Sequence, residues 1–414
     1  MQPGLKRTAG NLANVIGGEA ALRVANFVAA VLLARVGGTW VFGTYAAALA
    51  YVTIAIMLAD NGLQIAAIRE ISSTPEAIAP IASRLFISKT LLFFPMLLVL
   101  AVIGRVAHLS SMQWSIAAII ALRGILQSYC QLQVAILKAV DSMRAIGFIQ
   151  GTHSVLLLVL LWRGYVSGHT IYFLLWVLVI GQTLELVLEA GWLWSWGLRP
   201  IAVRWHDCWH LLRGSTSVGI TLTIANAVLR LDVIILSLIA GAAAAGIFAA
   251  AQTVIMIVYV VGWLLGSVLL ADMTRLNGSE RDLKHFLQRW TLIISSTLVP
   301  LALLGIFLGP PVIRALFGPK FTPTGTLLAI MLPAVPFIVL NSLHLHRAFA
   351  THSARTHLNL YLGAAILTVL LDCSLALAFG ATGLAVAVVL REVIIFIAFH
   401  LIHSKPQLPM ADGA

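Results

Sequence analysis

The chain has 414 residues, 60% of them hydrophobic and only 10% charged, with a mean hydropathy of +0.99. These values exclude an ordinary soluble domain, and long unbroken apolar runs exclude the roughly ten-residue alternation of a membrane β-barrel. The excess of 26 Lys+Arg over 15 Asp+Glu does not point to nucleic acid, because the basic residues fall in the breaks between apolar runs and so act as topology determinants.

In chain order, twelve runs approach the roughly 20 residues needed to cross hydrocarbon. They lie at about 12–36, 40–66, 85–106, 113–138, 145–165, 170–194, 216–240, 246–271, 286–309, 324–348, 357–379 and 382–403. The N-terminus starts basic (Lys6, Arg7), but no short apolar region with a cleavage site precedes the first run. That run is therefore expected to stay in the mature protein as its own insertion signal.

The first two runs, Asn11 to Leu63, are predicted to be helices joined by a tight turn at Val36–Gly38. Glu19, Arg23 and Asn26 fall at i, i+4 and i+7 and form one polar stripe on an apolar helix. An ionised group at mid-bilayer costs about 2.5–3.5 kcal/mol on insertion scales, so such a stripe reads first as a functional interior site. The stretch returns half a chain later. Gly38, Gly43, Tyr45 and Ala46–Ala48 fall on Gly241, Gly246, Phe248 and Ala249–Ala251, at an offset of 203. A second echo, Lys138–Arg144 on Phe349–Arg355, has an offset of 211. The drift implies about eight inserted residues, which fits the Pro-rich stretch GPPVIRALFGPKFTP after span nine.

Six spans per half is an even number, so both halves enter the membrane in the same direction, as in parallel transporter repeats. The expected layout is an N-lobe over 1–196, a cytoplasmic amphipathic linker over 197–214, a C-lobe over 215–404 and a cytoplasmic tail over 405–414. In the linker, Ile201, Trp205, Trp209 and Leu212 recur at helical spacing, with Trp192, Trp194 and Trp196 beside it as interfacial anchors; an irregular linker is the alternative. With the N-terminus inside, 17 Lys/Arg sort to the cytoplasmic segments, five to the opposite side and four into the membrane. Both termini are thus expected in the cytoplasm.

Span seven carries Gly219, Thr223, Asn226 and Arg230 along one face, matching the stripe of span one. Span four adds Arg123, with Gln127 and Gln131 on the same face. A guanidinium fork matches phosphate geometry, so Arg23, Arg123, Arg230, Asn26, Asn226 and Gln127 are candidate ligands for an anionic headgroup. The alternative for each arginine is an interhelical salt bridge. Candidate coupling acids are Glu19, Glu185, Glu189 and Asp232. Glu185 and Glu189 lie one turn apart beside Gln182, so one should be protonated or both should face a cation. Asp232 points away from Arg230, Asp372 sits in span eleven, and Glu392, beside Arg391, lands on Glu189 at the 203 offset.

Cys130, Cys208 and Cys373 have no metal spacing and read as small core residues. His344, His346, His352 and His357 read as interfacial histidines on a basic turn rather than a metal site. Pro300, Pro333 and Pro336 are expected to break or bend spans nine and ten. No cofactor is expected.

The sequences LLARVGGTWVFGTYAAALAY, LADNGLQIAAIREI, RLD in span seven, GIFAAAQTV opening span eight and LFGPKF before span ten resemble the polysaccharide-transport branch of the multidrug/oligosaccharidyl-lipid/polysaccharide exporter superfamily. These are the O-antigen-type oligosaccharide flippases of the bacterial cytoplasmic (inner) membrane. The resemblance spans about Asn11 to His403. It implies an all-α polytopic membrane protein, with twelve transmembrane helices as two pseudo-symmetric six-helix lobes around a central cavity, that works by alternating access. It also implies a polyprenyl-pyrophosphate-linked oligosaccharide as cargo and exchange of H⁺ or Na⁺ in some members. Membrane lipids are the expected surroundings, with a monomer that associates with polysaccharide assembly proteins. A drug/cation antiporter of the same superfamily shares the topology. A glycan polymerase or acyltransferase is the non-transport alternative, for which no large outer loop or clustered His/Asp/Arg face is present.

Overall fold

The computed structural model describes residues 3–106, 108–199, 201–276, 279–351 and 354–404. Within these, the side chains of 3–13, 15–16, 75, 217–218, 221–222, 225–226, 271, 280, 348–361 and 402–404 lie outside the description. The tail over 405–414, His352, the side chain of His357 and that of Asn226 are among the expectations that fall there.

The described elements, two short 3-10 turns aside, are helices: α1 Pro3–Asp60, α2 Leu63–Ser73, α3 Ile78–Val106, α4 Ser111–Ala139, α5 Met143–Val166, α6 Ile171–Ser195, α7 Trp205–Ile239, α8 Gly241–Leu276, α9 Glu280–Phe317, α10 Thr322–Met331, α11 Ala334–Thr351 and α12 Ala354–Ser404. No strand occurs among the described residues. Eight described helices are long and apolar enough to cross a membrane, and α10 with α11, bent by 54°, makes a ninth. Two of the eight run 57 and 40 residues, long enough for two crossings each, and α7 runs 35 residues. Each double-length helix turns at a glycine, Gly38 (φ 70°) in α1 and Gly380 (φ 59°) in α12. L side chains rarely adopt such φ values, so glycine lets the chain reverse there without a loop.

The duplication is visible in the backbone. Gly38 and Gly241 share a positive φ at an offset of 203, His108 and Gly318 at 210, and Gly168 and Gly380 at 212. Seven of the nine extra residues of the second half therefore enter between Gly241 and Gly318. They lengthen helices instead of the expected Pro-rich connection: α9 runs 38 residues against 29 for α3, and Pro300, Pro310 and Pro311 all lie inside it. Proline is tolerated in a membrane helix where neighbours cover the freed backbone. Here α10 packs so closely that a Cβ on Gly325 would stand 2.6 Å from Pro310 Cα. Pro333 does lie at the α10–α11 bend, while Pro300 breaks nothing.

The chain divides into two compact units, Met1–Ser237 and Leu238–Ala414. Helix α7, expected to open the C-lobe, folds with the first unit. The expected amphipathic helix over 197–214 is not a separate element. Residues 201–204 are irregular and α7 then runs unbroken from Trp205. The backbone N–H of Ile201 donates to Ser83 Oγ (3.0 Å), and Leu193, Leu198, Leu211 and Leu212 share one core with Leu63, Ile81 and Leu137. This tertiary packing pulls the segment onto the bundle.

Asn61, at φ 45° in the turn between α1 and α2, fastens α7. Its Nδ2 donates to Leu212 O (3.0 Å), with Thr216 Oγ1 at 3.2 Å. One turn on, Gly219 meets the Asn61 backbone: a Cβ there would lie 2.5 Å from the carbonyl carbon. Gly219→Ala is therefore expected to destabilise the chain by about 1–3 kcal/mol. Thermal denaturation of the detergent-solubilised protein measures this, and an unchanged midpoint would contradict the packing described.

Candidate functional site

The first unit carries two polar systems along α4. This helix starts where Ser110 and Gln113 cap it reciprocally: Ser110 Oγ accepts from the Gln113 N–H (3.4 Å) and Gln113 Oε1 accepts from the Ser110 N–H (2.9 Å). In the first, the buried Arg123 donates from Nη2 to Asn26 Oδ1 on α1 at 2.7 Å, and Asn26 Nδ2 donates to Leu22 O at 2.9 Å. Gln127 follows one turn along, half-buried. Gln131 Oε1, a turn further, accepts from Gln64 Nε2 of α2 (3.1 Å).

Arg23 precedes Asn26 on α1. Its side chain is 56% exposed and reaches Glu19 only at 4.0 Å, a loose pair that leaves most of the guanidinium's donors to the surroundings. Arg230 on α7 is partly buried, with Tyr45 of α1 and Asp232 within electrostatic range, and Asp232 itself is buried. Arg123 and Asn26 are thus brought together by the fold, whereas Arg23 and Arg230 have separate surroundings.

The second system lies further along α4, against α5 and α6. Glu185 and Glu189 are 2% and 0% exposed. His153 Nδ1 of α5 stands 2.7 Å from Glu185 Oε2, and Gln182 Nε2 donates to the same oxygen at 2.8 Å. Gln182 also lies 3.2 Å from Cys130 Sγ. With the Gln133 amide turned to donate, its nitrogen is 3.0 Å from Glu189 Oε2. Among the described residues neither acid has an arginine as a partner. Their partners are amides, a thiol and a histidine, so Cys130 belongs to a polar cluster and not to an apolar core.

Beside this cluster is an ion pair that sequence reasoning missed. Lys89 of α3, fully buried, donates to Asp60 Oδ1 at the end of α1 at 2.5 Å. Lys89 therefore does not belong among the basic residues of the cytoplasmic breaks. Its signal was its position inside a long apolar helix. His153 was legible too: it shares the buried face of α5 with Ile146, Ile149, Gln150 and Leu157 at helical spacing.

In the second unit, Glu392 accepts from Tyr259 Oη (2.7 Å) and from Asn341 Nδ2 (2.9 Å), with Arg391 Nε at 3.5 Å. Arg391 also stands 4.0 Å from Asp372. His344 and His346 are buried. The first lies against Phe396 and Phe399, the second edge-on to Trp263 with Ser267 Oγ at 3.2 Å from Nε2. Among the described residues no group of three or more His, Cys, Asp or Glu is placed to hold a metal ion.

Residues 11–270 match the family described as "Polysaccharide biosynthesis protein". No curated protein matches the chain. Among solved structures, the lipid II flippase MurJ in an inward closed conformation aligns with a TM-score of 0.75 at 13% identity, covering 95% of this chain and 88% of its own. An inward-facing multidrug resistance MATE family transporter aligns at 0.70 and 13% identity, covering 92% and 94%. A MOP superfamily transporter from Pyrococcus furiosus aligns at 0.63 and 12% identity, covering 94% of each chain. At such identity these likenesses concern the fold, which is the twelve-helix exporter fold expected from the sequence. With the family match spanning more than half of its length, the chain belongs to the polysaccharide biosynthesis protein family of the multidrug/oligosaccharidyl-lipid/polysaccharide exporter superfamily.

Proposed function

We propose that this membrane protein is a flippase that moves polyprenyl-pyrophosphate-linked oligosaccharide units from the cytoplasmic to the outer leaflet by alternating access, coupled to H⁺ or Na⁺, in the bacterial cytoplasmic membrane. The family match supports the cargo class. The observation that carries the reading is Arg23: a guanidinium 56% exposed in the body of an apolar helix, one turn from the Asn26–Arg123 hydrogen bond. A group so placed needs water or an anion around it, because lipid would leave its charge unsolvated. A pyrophosphate and a sugar chain have the complementary need, since neither crosses hydrocarbon without replacement hydrogen bonds.

In this reading Arg23 and Arg230, with Asn226 and Gln127, meet the pyrophosphate or acidic sugars, Arg123 positions Asn26 and adds charge, and Glu185 or Glu189 takes part in coupling. Glu19 acts as the local counter-ion of Arg23. The loss of one charge-assisted contact is worth roughly 1.5–3 kcal/mol, so Arg23→Ala or Arg230→Ala is expected to cut export about tenfold or more, and the pair further. The measurement is complementation of glycan export at normal expression. Full export by both single variants and by the double variant would refute the assignment.

A further inference from the structure

We propose that the end of α6 and the start of α7 form a surface that binds anionic phospholipid headgroups of the surrounding leaflet. Trp194, Trp196, Trp205 and Trp209 are 60, 54, 64 and 47% exposed, a concentration of indole that a water-facing surface does not keep. Their backbone neighbours point the other way. Leu193, Leu198, Leu211 and Leu212 pack into one core, so the segment is pinned to the bundle by its apolar side and turns the indoles outward. Indoles belong at the headgroup level, where the ring meets acyl chain and the N–H meets water or phosphate.

Charge selects which headgroup. Arg199, Arg204 and Arg213 are all exposed on the same segment. Against them stands one acid, Asp207, which already faces His206 at 3.8 Å. Arg213 lies over the Trp209 ring at 5.1 Å, so the fork and the indole form one unit that presents cationic donors beside an apolar plate. A zwitterionic headgroup brings its own ammonium into that field, whereas a phosphatidylglycerol headgroup brings only the phosphate. Bound lipid would hold the first turns of α7, whose next turns are fastened to Asn61.

The test uses the full-length purified protein in detergent with equimolar phosphatidylglycerol and phosphatidylcholine, and reads retained lipid by native mass spectrometry. Phosphatidylglycerol is expected to be retained at least about fivefold better at low salt. That preference should fall towards one in R199Q/R204Q/R213Q and stay in the charge-matched control R275Q/R281Q/K284Q. Equal retention of the two lipids, or equal loss in the control, overturns the proposal. A second measurement needs no variant: photoactivatable phosphatidylglycerol should label peptides within 192–213 in preference to photoactivatable phosphatidylcholine. Labelling confined to other peptides rejects the site.

Discussion

Lys89→Met is expected to destabilise the protein by about 3–5 kcal/mol, because it leaves Asp60 buried without its counter-charge. The partners lie 2.5 Å apart, with Lys89 wholly inside. Asp60→Asn should cost less than Lys89→Met, since an amide still presents an oxygen to the ammonium. The double variant Lys89→Met with Asp60→Leu should recover most of the loss, because replacing a whole buried pair by apolar side chains is often neutral or better. Thermal unfolding and yield of monodisperse protein in detergent measure all three. If the double variant is as unstable as Lys89→Met alone, the two residues are not coupled as described. Position sharpens this expectation. Asp60 ends α1 one residue before Asn61, whose side chain holds α7, so a repelled Asp60 would disturb the turn on which α7 is seated.

The same pair shows what the sequence conceals. A tally of basic residues by segment assigns Lys89 to water because it lies near the predicted start of span three. Its partner is 29 residues away, and no helical spacing links them. The helix breaks, in contrast, were legible. Gly38 and Gly241 align in the repeat because both carry the positive φ that ends the first span of each half. Pro310 and Pro311 misled, since proline reads as a break unless a packed neighbour covers the freed carbonyls, and that neighbour is a tertiary fact. The linker misled similarly: its apolar spacing predicts a surface helix, yet Leu211 and Leu212 are core residues and the helix that holds them is the start of α7. At the candidate site, the stripe Glu19–Arg23–Asn26 was readable from periodicity. That Asn26 takes Arg123 as its partner, while Arg23 stays exposed, depends on which face of α1 meets α4, and composition does not encode it.

Glu185→Gln is expected to uncouple transport while leaving the protein folded. The amide keeps the shape and an oxygen that accepts from Gln182 but cannot ionise. Glu185 is faced by His153 from α5, Cys130 from α4 and Glu189 from its own helix, with Lys89 of α3 beyond Cys130. In the second unit the buried acid Glu392 is held by a tyrosine, an asparagine and Arg391, and arginine keeps its charge at every working pH. Facing Glu185 there is instead a histidine, with its Nδ1 2.7 Å from Oε2. Gln182 Nε2 and the Gln133 amide nitrogen turn donors, not oxygens, to the two carboxylates, a poor completion of a Na⁺ shell, while an imidazole nitrogen beside Glu185 offers a proton a second site. In proteoliposomes loaded with a short-chain lipid-linked glycan, a pH gradient should therefore accelerate wild-type flipping, and a Na⁺ gradient should not. Glu185→Gln should lose about tenfold or more of the pH-driven component, the scale of one proton-transfer residue, yet still exchange cargo across the bilayer when no gradient is imposed. His153→Gln should share this split, because it acts on the same proton. Equal acceleration of Glu185→Gln and wild type by the pH gradient would remove the carboxylate from coupling, and with arginine variants still defective it would do so without disturbing the cargo assignment.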